Sequence, residues 1–304
     1  MKKVIARLGN GLGNQLFTYA TAYSFAKTIN SKLYIDDKSG FYKRFKYELH
    51  NFNIKAPLAD RKEKFIGKLE RFKRKFLIKI DKYKNNKNFL IEERDKNKLS
   101  YYNPNQFNIN FNKTIFFEGY FQSEKYFSLY KKELLSQFTF KQNIQNQKNK
   151  FLNSIKNSNS ISIHIRQNKF LADEGHKNLK KLNTEYVKDS IDNIKKAVLY
   201  FDEHIQNPIY FIWSNDFTNL KEIFPSNKYI FVDVNLNNEA ALDLYLMSQC
   251  KHFILSSSTF HYWGAFLSNN KNRICVGPKY MLNKSGYYGF SNNKDIKPSW
   301  WIEI

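Results

Sequence analysis

The residues best suited to chemistry lie where a β-strand is predicted to end. Isoleucine alternates with serine and histidine over residues 160–165, a period of two that predicts a strand with one apolar face. Arg166 follows directly, two residues after His164. Ligands of open α/β sheets bind at the carboxyl ends of the strands, and a guanidinium offers a rigid fork of donors that suits a phosphate. The segment therefore predicts a nucleotide-phosphate site.

Two further polar clusters are predicted at the same edge of the sheet. Ser214-Asn215-Asp216 ends one predicted strand, and Ser256-Ser257-Ser258-Thr259 ends another and precedes a helix, where hydroxyls and unpaired N–H groups favour an anion. Asp243 lies on the helix before that second strand. Each has a simpler interpretation: a surface ion pair for Arg166, helix caps for the serines and a solvated helix face for Asp243. Together they favour a nucleotide site.

A glycine-rich segment near the start of the chain, 9–15, links a strand to a helix. Its glycines are spaced GxGxG and no GK[ST] follows, so the dinucleotide-binding and P-loop patterns both fail on spacing. Glycines allow a ligand to approach the backbone closely, and Asn14 and Gln15 place amide groups at the start of the helix. On the glycines alone, a tight strand-to-helix turn is the favoured interpretation.

The elements that would position these residues alternate between strand and helix. A βαβ unit is predicted over residues 3–36, and strands alternate regularly with helices from residue 160 onward, which implies parallel pairing. Lys141–Lys150, rich in Gln, Asn and Lys, is the predicted linker. We therefore expect an α/β protein with an N-terminal domain over 1–145 and a C-terminal domain over 151–304.

The composition indicates a strongly basic protein, and its low cysteine content favours a reducing compartment. The 304 residues carry a net charge of +23, which suits nucleic acid, an anionic lipid or a phosphorylated small molecule. Aromatic residues are spread through predicted core strands and no nucleic-acid-binding module is recognisable, so nucleic acid is not expected as a partner. Two cysteines are too few for a disulfide framework, and no run of about 18 apolar residues predicts a membrane span. We expect a cytoplasmic protein.

Residues 60–100 differ from the rest of the first domain as a basic insertion. Phe65, Leu69, Phe72, Phe76 and Ile80 recur at helical spacing among many lysines and arginines, which predicts a basic amphipathic helix. Such a helix can lie on an anionic membrane surface, or its apolar stripe can pack on the domain. Packing on the domain is the favoured interpretation, and a loop is expected over residues 81–98.

Several motifs occur in an order that resembles a known family. They are Gly11-Leu12-Gly13-Asn14-Gln15-Leu16-Phe17 with Tyr19-Ala20, then Gly119-Tyr120-Phe121-Gln122, His164-Ile165-Arg166, the segment 242–252, Ser257-Ser258-Thr259-Phe260 before Tyr262-Trp263-Gly264-Ala265, and Gly277-Pro278-Lys279. Together they resemble the bacterial α-1,2-fucosyltransferases of glycosyltransferase family 11. The similarity extends from about residue 5 to about residue 282.

This resemblance implies a function and a role for each candidate residue. It implies a GT-B-like fold, with two Rossmann-like domains whose parallel sheets face a cleft, and inverting transfer of a sugar from a GDP-sugar, usually GDP-β-L-fucose. The acceptor would be a galactoside-type oligosaccharide or lipid-linked glycan of the bacterial surface, reached at the inner membrane, with no cofactor and no metal. The implied roles are the donor pyrophosphate for Arg166, the guanine or ribose for His164 and Asp243, the phosphates for Ser257, Ser258 and Thr259, and the sugar for Asn14.

The chain departs from the family pattern directly after Arg166. The family usually has HxRRGDY, whereas this chain has HIRQNKF, so that Gln167 replaces the second arginine and Lys169 replaces the acid. A lysine is a poor general base unless its pKa is strongly lowered. The alternatives left open are a different GDP-sugar, acceptor or linkage, a nucleotide- or glycan-binding protein that has lost turnover, and a peripheral membrane or nucleic-acid-binding protein.

Overall fold

The computed structural model describes residues 2–41, 45–94, 100–147, 150–168, 179–234, 240–279 and 295–304. The chain forms two compact units, Met1–Lys141 with Ser291–Pro298, and Gln142–Phe290 with Ser299–Ile304. Each unit contains a parallel sheet and helices, so the α/β class with parallel sheets is confirmed. Among the described residues, no helix is both long enough and apolar enough to span a membrane.

The first unit is built on a four-stranded parallel sheet with the order β2-β1-β4-β3. Val4, Ile5 and Ala6 of the central strand β1 are fully buried, a continuous apolar run expected of a strand covered on both faces. The elements are β1 (Lys3–Gly9), α1 (Leu12–Thr28), β2 (Lys32–Gly40), α2 (Lys68–Asp81), β3 (Phe89–Ile91), β4 (Thr114–Glu118) and α3 (Lys131–Gln137).

The second unit is built on a six-stranded parallel sheet with the order β10-β9-β8-β5-β6-β7. Ile161, Ile163 and Ile165 of β5 are buried against α6 and β6 in its core. The elements are α4 (Gln142–Gln145), α5 (Lys150–Asn157), β5 (Asn159–Ile165), α6 (Leu179–His204), β6 (Pro208–Ser214), α7 (Leu220–Ile223), β7 (Tyr229–Phe231), α8 (Ala240–Ser248), β8 (His252–Ile254), α9 (Thr259–Phe266), β9 (Cys275–Gly277) and β10 (Ile302–Glu303).

Helix α2 is amphipathic as predicted, but the favoured interpretation of its apolar stripe is wrong. Leu69, Phe72 and Phe76 are exposed to 86%, 73% and 56%, so the stripe does not pack on the domain. The other side of the helix meets the protein through polar groups, among them Arg74 and the buried Asp81. The spacing of apolar residues predicted the helix correctly. The side of the helix that faces the protein carries the hydrogen-bonded Arg74 and the buried Asp81.

Two segments expected to be irregular contain short regular elements. In the expected loop 81–98, the Asp81 carboxylate accepts the N–H groups of Asn88 and Phe89 at 2.9–3.0 Å and fixes the start of β3. In the predicted linker, Ile144 is buried and α4 packs on α8.

The described residues of 295–298 belong to the first unit, where the Asp295 carboxylate accepts the N–H of Tyr102. The sequence prediction placed residues 151–304 together in the second domain.

Residues 123–137 do not form one continuous helix. Two 3₁₀ turns, Glu124–Tyr126 and Ser128–Tyr130, precede α3. Ser123 caps the first of them, since its Oγ accepts the N–H of Lys125 at 3.4 Å. Phe127, fully buried and with φ near −132°, lies between the turns and breaks the helical path.

Candidate functional site

The carboxyl edge of the second sheet has a topological switch point between β5 and β8. From β5 the chain runs to β6 and β7 on one side, and then returns to form β8 and β9 on the other side. Connections leave these two adjacent strands in opposite directions, which opens a crevice for a ligand. Ser256, just after β8, donates its hydroxyl to the carbonyl of His164 in β5 at 3.0 Å. The two segments that the sequence had singled out are therefore hydrogen-bonded to each other.

Arg166 and His164 form a cation beside a neutral ring at this switch point. Arg166 directly follows β5 and is partly buried. Burial, and to a smaller extent the charge of Arg166, lower the pKa of His164 to about 3. His164 is therefore uncharged at neutral pH, with its ring centroid 5.7 Å from that of Phe260 and 5.9 Å from that of His261. The positive charge of this pair resides on Arg166 alone.

The hydroxyl cluster lies at the start of α9, as the sequence predicts. Ser258 is the N-cap, and its Oγ accepts the N–H of His261 at 3.3 Å, so the simpler interpretation as a helix cap holds for this residue. Ser257 and Thr259 are partly buried on either side of it. This part of the edge offers hydroxyls and the N–H groups of a helix start, both of which favour an anion.

Asp243 lies in the first turn of α8, after the carboxyl end of β7. Burial, and to a smaller extent the nearby carboxylate of Asp233, raise the pKa of its carboxyl to about 7. A helix N-terminus normally favours an ionised acid, so burial outweighs the helix dipole here. A carboxyl held in a setting that disfavours its charge is a candidate for ligand binding.

Gln167, which departs from the family pattern, joins the ends of β5 and β6. Its side-chain amide donates to the carbonyls of Asp216 and Thr218 at 2.8 and 2.9 Å, and its backbone N–H donates to Asn215 Oδ1 at 2.9 Å. The Asp216 carboxylate accepts the hydroxyl and N–H of Thr218 and the amide of Asn168, which lowers its pKa. Residues 214–216 thus shape the loop after β6, while Lys169 lies outside the described residues.

The first unit has a cavity at the carboxyl edge of its own sheet that sequence reasoning missed. It has a volume of about 570 Å³ and receives residues from the ends of all four strands, among them Arg7, Gly40, Glu92 and Glu118. The size is within the range of small-molecule sites. The rule that located Arg166 would also apply to Arg7 and Glu118, because Arg7 lies near the carboxyl end of β1 and Glu118 ends β4. Recognising them as neighbours requires the pairing of β1 with β4.

Glu118 is the centre of a charge cluster in this cavity. Arg74 of α2 donates Nε to Glu118 Oε1 at 2.8 Å and its second nitrogen to Oε2, while Arg7 Nη1 lies 3.5 Å from Oε2. Arg7 also donates to the carbonyl of Ser39 at 2.6 Å. Glu118 contacts both arginines, which fixes the side chains, and two guanidiniums against one carboxylate leave this polar wall with a net charge of about +1.

The turn after β4 is fixed by a buried acid and a glycine. Glu92 accepts the N–H groups of Tyr120 and Phe121 at 2.7 and 2.8 Å, and burial raises its pKa despite these bonds. Gly119 has φ +153°, and a Cβ added there would lie 2.4 Å from the Cβ of Glu92. Only glycine fits at this point. The turn presents Tyr120 to the cavity.

The amide residues predicted at the start of the helix lie in the first turn of α1. Asn14 is the third residue of the helix, and its Oδ1 accepts the amide of Gln122 at 2.9 Å. The buried Gln15 donates to the carbonyls of Asn10 and Lys46 and accepts the N–H of Glu48, all at 2.9 Å. Gln15 is therefore a brace, and Asn14 is held against the turn after β4.

The described residues contain no group of three or more His, Cys, Asp and Glu side chains that could hold a metal ion. The chemistry that the two edges do offer is a guanidinium with hydroxyls at one switch point and a charge-paired polar cavity in the other unit. These are the parts needed to bind an anionic donor and a polyhydroxylated ligand.

Similarity to known proteins agrees with this arrangement. The chain is 29% identical over 313 residues to an α-1,2-colitosyltransferase of Escherichia coli, covering 100% of this chain and 99% of the relative. It is 25% identical to the O-antigen biosynthesis glycosyltransferase WbnK of Escherichia coli, covering 98% and 99%. The fold is of the GT-B type and is similar to that of an Arabidopsis thaliana FUT1 mutant in complex with GDP, with a TM-score of 0.54, 14% identity and coverage of 94% and 72%. The profile of glycosyl transferase family 11 matches residues 3–303, and the protein is therefore a glycosyltransferase that belongs to this family.

Proposed function

We propose that the protein transfers a deoxysugar of the fucose type from a GDP-sugar to a galactoside-type acceptor, with inversion at the anomeric carbon. The observation that carries this proposal is Arg166, which lies at the switch point beside the neutral His164 and the start of α9. A single cation with nearby hydroxyls and helix N–H groups suits a pyrophosphate. Relatives that are named as sugar transferases support the class of reaction.

Two donors deserve a direct comparison. GDP-L-fucose is the first candidate because the motifs along the chain resemble those of α-1,2-fucosyltransferases. GDP-colitose is the second, since the chain is 29% identical to an α-1,2-colitosyltransferase over its whole length. Colitose is fucose without the 3-hydroxyl, so the two donors differ by one hydrogen-bonding group. A site built to bind that hydroxyl would reject the donor that lacks it.

In the proposed reaction, an acceptor hydroxyl oxygen forms a bond to the anomeric carbon. The bond from that carbon to the β-phosphate oxygen of GDP breaks, its electron pair stays on that oxygen, and the proton of the acceptor hydroxyl passes to a general base or to water. Negative charge therefore grows on the β-phosphate, where Arg166 stabilises the transition state more than the ground state. No metal and no cofactor take part in this proposal.

The cavity of the first unit is the proposed acceptor site. Arg7 and Arg74 both contact the Glu118 carboxylate, and Arg94 lies over the Tyr120 ring with its Cζ 5.3 Å from the ring centroid. A neutral sugar binds best to paired polar groups and an aromatic face, because it brings no charge of its own. The proposed acceptor is an oligosaccharide or a lipid-linked glycan, in keeping with a relative named for O-antigen biosynthesis. The two free, buried cysteines, Cys250 and Cys275, suit a reaction in the cytoplasm.

The test measures GDP binding and turnover with Arg166 variants. We expect GDP to bind well and UDP weakly, and purified protein to release GDP from GDP-fucose or GDP-colitose only when a galactose-terminated acceptor is present. Arg166→Lys keeps the charge and loses the fork, so we expect turnover to fall by about two to three powers of ten.

The matched control for this prediction is Arg273→Lys, the same exchange just before β9 and therefore at the opposite edge of the same sheet. It should leave GDP release unchanged. If the protein does not bind GDP, the proposed function is wrong. Wild-type turnover in Arg166→Lys would remove Arg166 from the site, even if the reaction itself is confirmed.

A further inference from the structure

Helix α2 presents a continuous apolar stripe to the outside of the protein. Leu69, Phe72, Phe76 and Ile80 follow one another at steps of three and four residues and are exposed to 86%, 73%, 56% and 38%. Tyr83, just after the helix, is 90% exposed and extends the stripe. An exposed apolar surface of this kind marks an interaction site on a folded protein.

The opposite side of α2 is held to the protein by polar bonds. Arg74 forms a paired contact with the Glu118 carboxylate, and the buried Asp81 accepts the N–H groups of Asn88 and Phe89. An ordinary surface helix packs its apolar stripe inward and points its charges to water. In α2 the inward charges are paired, and the partly buried Leu77 and Ile78 lie on the same inward side. The apolar stripe on the outer side is therefore left to an external partner.

Exposed lysines flank the apolar stripe. At 100° per residue, Lys68, Lys75, Lys79 and Lys82 lie along one side of the stripe and Lys73 lies on the other. All five side chains are exposed. A partner that covers the stripe must therefore be apolar at its centre and negatively charged around it.

We propose that α2 docks on the surface of an anionic lipid bilayer, lying flat with its apolar stripe at the boundary between headgroups and acyl chains. The helix is about 21 Å long, and its lysines would meet the phosphates on either side. A second copy of this chain fits poorly, because two copies joined through α2 would bring like-charged lysines together. Nucleic acid would not use the apolar stripe. Docking stands independently of the proposed transfer reaction.

The test is flotation of the purified full-length protein with vesicles. We expect at least tenfold stronger binding to vesicles of phosphatidylcholine with about one-third phosphatidylglycerol than to phosphatidylcholine alone, and weaker binding as salt rises. The Lys75→Gln/Lys79→Gln variant should bind the anionic vesicles at least tenfold more weakly, because each lysine near such a surface contributes about fivefold.

The apolar contribution is tested with Phe72→Ser/Phe76→Ser, which should also lose at least tenfold in binding. Its matched control is Leu129→Ser/Leu199→Ser, since these leucines are 79% and 64% exposed and lie outside α2. This control should bind like the wild type. Equal loss in both double variants, or no loss in the phenylalanine variant, would overturn the proposal.

A third measurement reports insertion directly. In Phe72→Trp, the new indole should be quenched by brominated lipids in anionic vesicles, while the four native tryptophans of the wild type should not. Sedimentation of the protein without vesicles tests whether α2 instead binds a second copy of the chain. A dimer that Phe72→Ser/Phe76→Ser dissociates would show that α2 binds a second copy, and would overturn lipid docking.

Discussion

Replacement of Asp243 by asparagine should stabilise the ligand-free protein while weakening nucleotide binding. The folded protein raises the pKa of this carboxyl from 3.8 to about 7, chiefly by burial and then through the charge of Asp233. One pKa unit corresponds to about 1.4 kcal/mol, so the ionised side chain costs the folded state about 4 kcal/mol. Asparagine has nearly the same shape and never ionises.

The stabilisation expected from Asp243→Asn should depend on pH. Because the folded-state pKa is raised, the protonated Asp243 contributes stability that is fully present below pH 3.8 and is lost as the pH rises through about 7. The free energy of unfolding of Asp243→Asn should therefore exceed that of the wild type most at pH 8. The difference should shrink steadily from pH 7 towards pH 4.

Urea unfolding at several pH values between 5 and 8 measures this difference. The control is Asp192→Asn, an exposed aspartate on α6, which should not change the slope of stability with pH. The reasoning is refuted if Asp243→Asn is less stable than the wild type at pH 8, or if the difference between them does not depend on pH.

Measurement of GDP binding tests whether Asp243 contacts the nucleotide. If the ionised Asp243 accepts hydrogen bonds from the guanine or ribose, wild-type affinity for GDP should rise as the pH passes through about 7. Asp243→Asn should then bind GDP about 10- to 100-fold more weakly at pH 8, the usual value of a hydrogen bond to a charged group. Higher stability together with lower affinity is the pattern expected of a residue kept for its ligand.

Two further predictions concern the turns that shape the sites. Gly119→Ala should lower the free energy of unfolding by about 3 kcal/mol, because the new Cβ would lie 2.4 Å from the Cβ of Glu92. The control is Gly11→Ala, whose new Cβ would lie 3.6 Å from the Phe45 ring and should destabilise the protein much less. Thermal or urea unfolding measures both variants. Gln167→Ala should lower the free energy of unfolding by about 2 kcal/mol, because two hydrogen bonds of the side-chain amide are lost. It should also speed the hydrogen exchange of backbone amides near residue 218. Unchanged exchange there would contradict the bracing role.

The strands that form the second sheet could largely be predicted from the sequence. The predicted strand ending at Arg166 is β5, and the predicted strand that ends at Ser214-Asn215-Asp216 is β6. Alternating β-branched residues carry a period of two that survives in a buried parallel strand, so local pattern and tertiary packing agree there. Two short strands, β3 and β10, gave no such signal. β3 has three residues in a Lys- and Asn-rich segment, and β10 has two.

Contacts between distant segments could not be predicted in the same way. Glu118 meets Arg7 because β4 pairs with β1, and it meets Arg74 because α2 turns its polar side inward. A hydrophobic period reports that a helix has an apolar side, but it does not report what that side faces. For α2, the paired charges on the inner side decided the orientation.

The departure of this chain at Gln167 changes how the site must hold an anion. Both donors of its side-chain amide bind carbonyls in the loop after β6, its N–H binds Asn215, and its own carbonyl accepts the amide of Asn183 at 2.6 Å. Gln167 therefore stabilises the loop and adds no charge, where the family pattern has a second arginine. His164 is neutral as well, because burial lowers its pKa to about 3. In the proposed site, the described segment 164–168 therefore offers the pyrophosphate one positive charge, that of Arg166. A lysine in its place would keep this charge but lose the planar fork of donors.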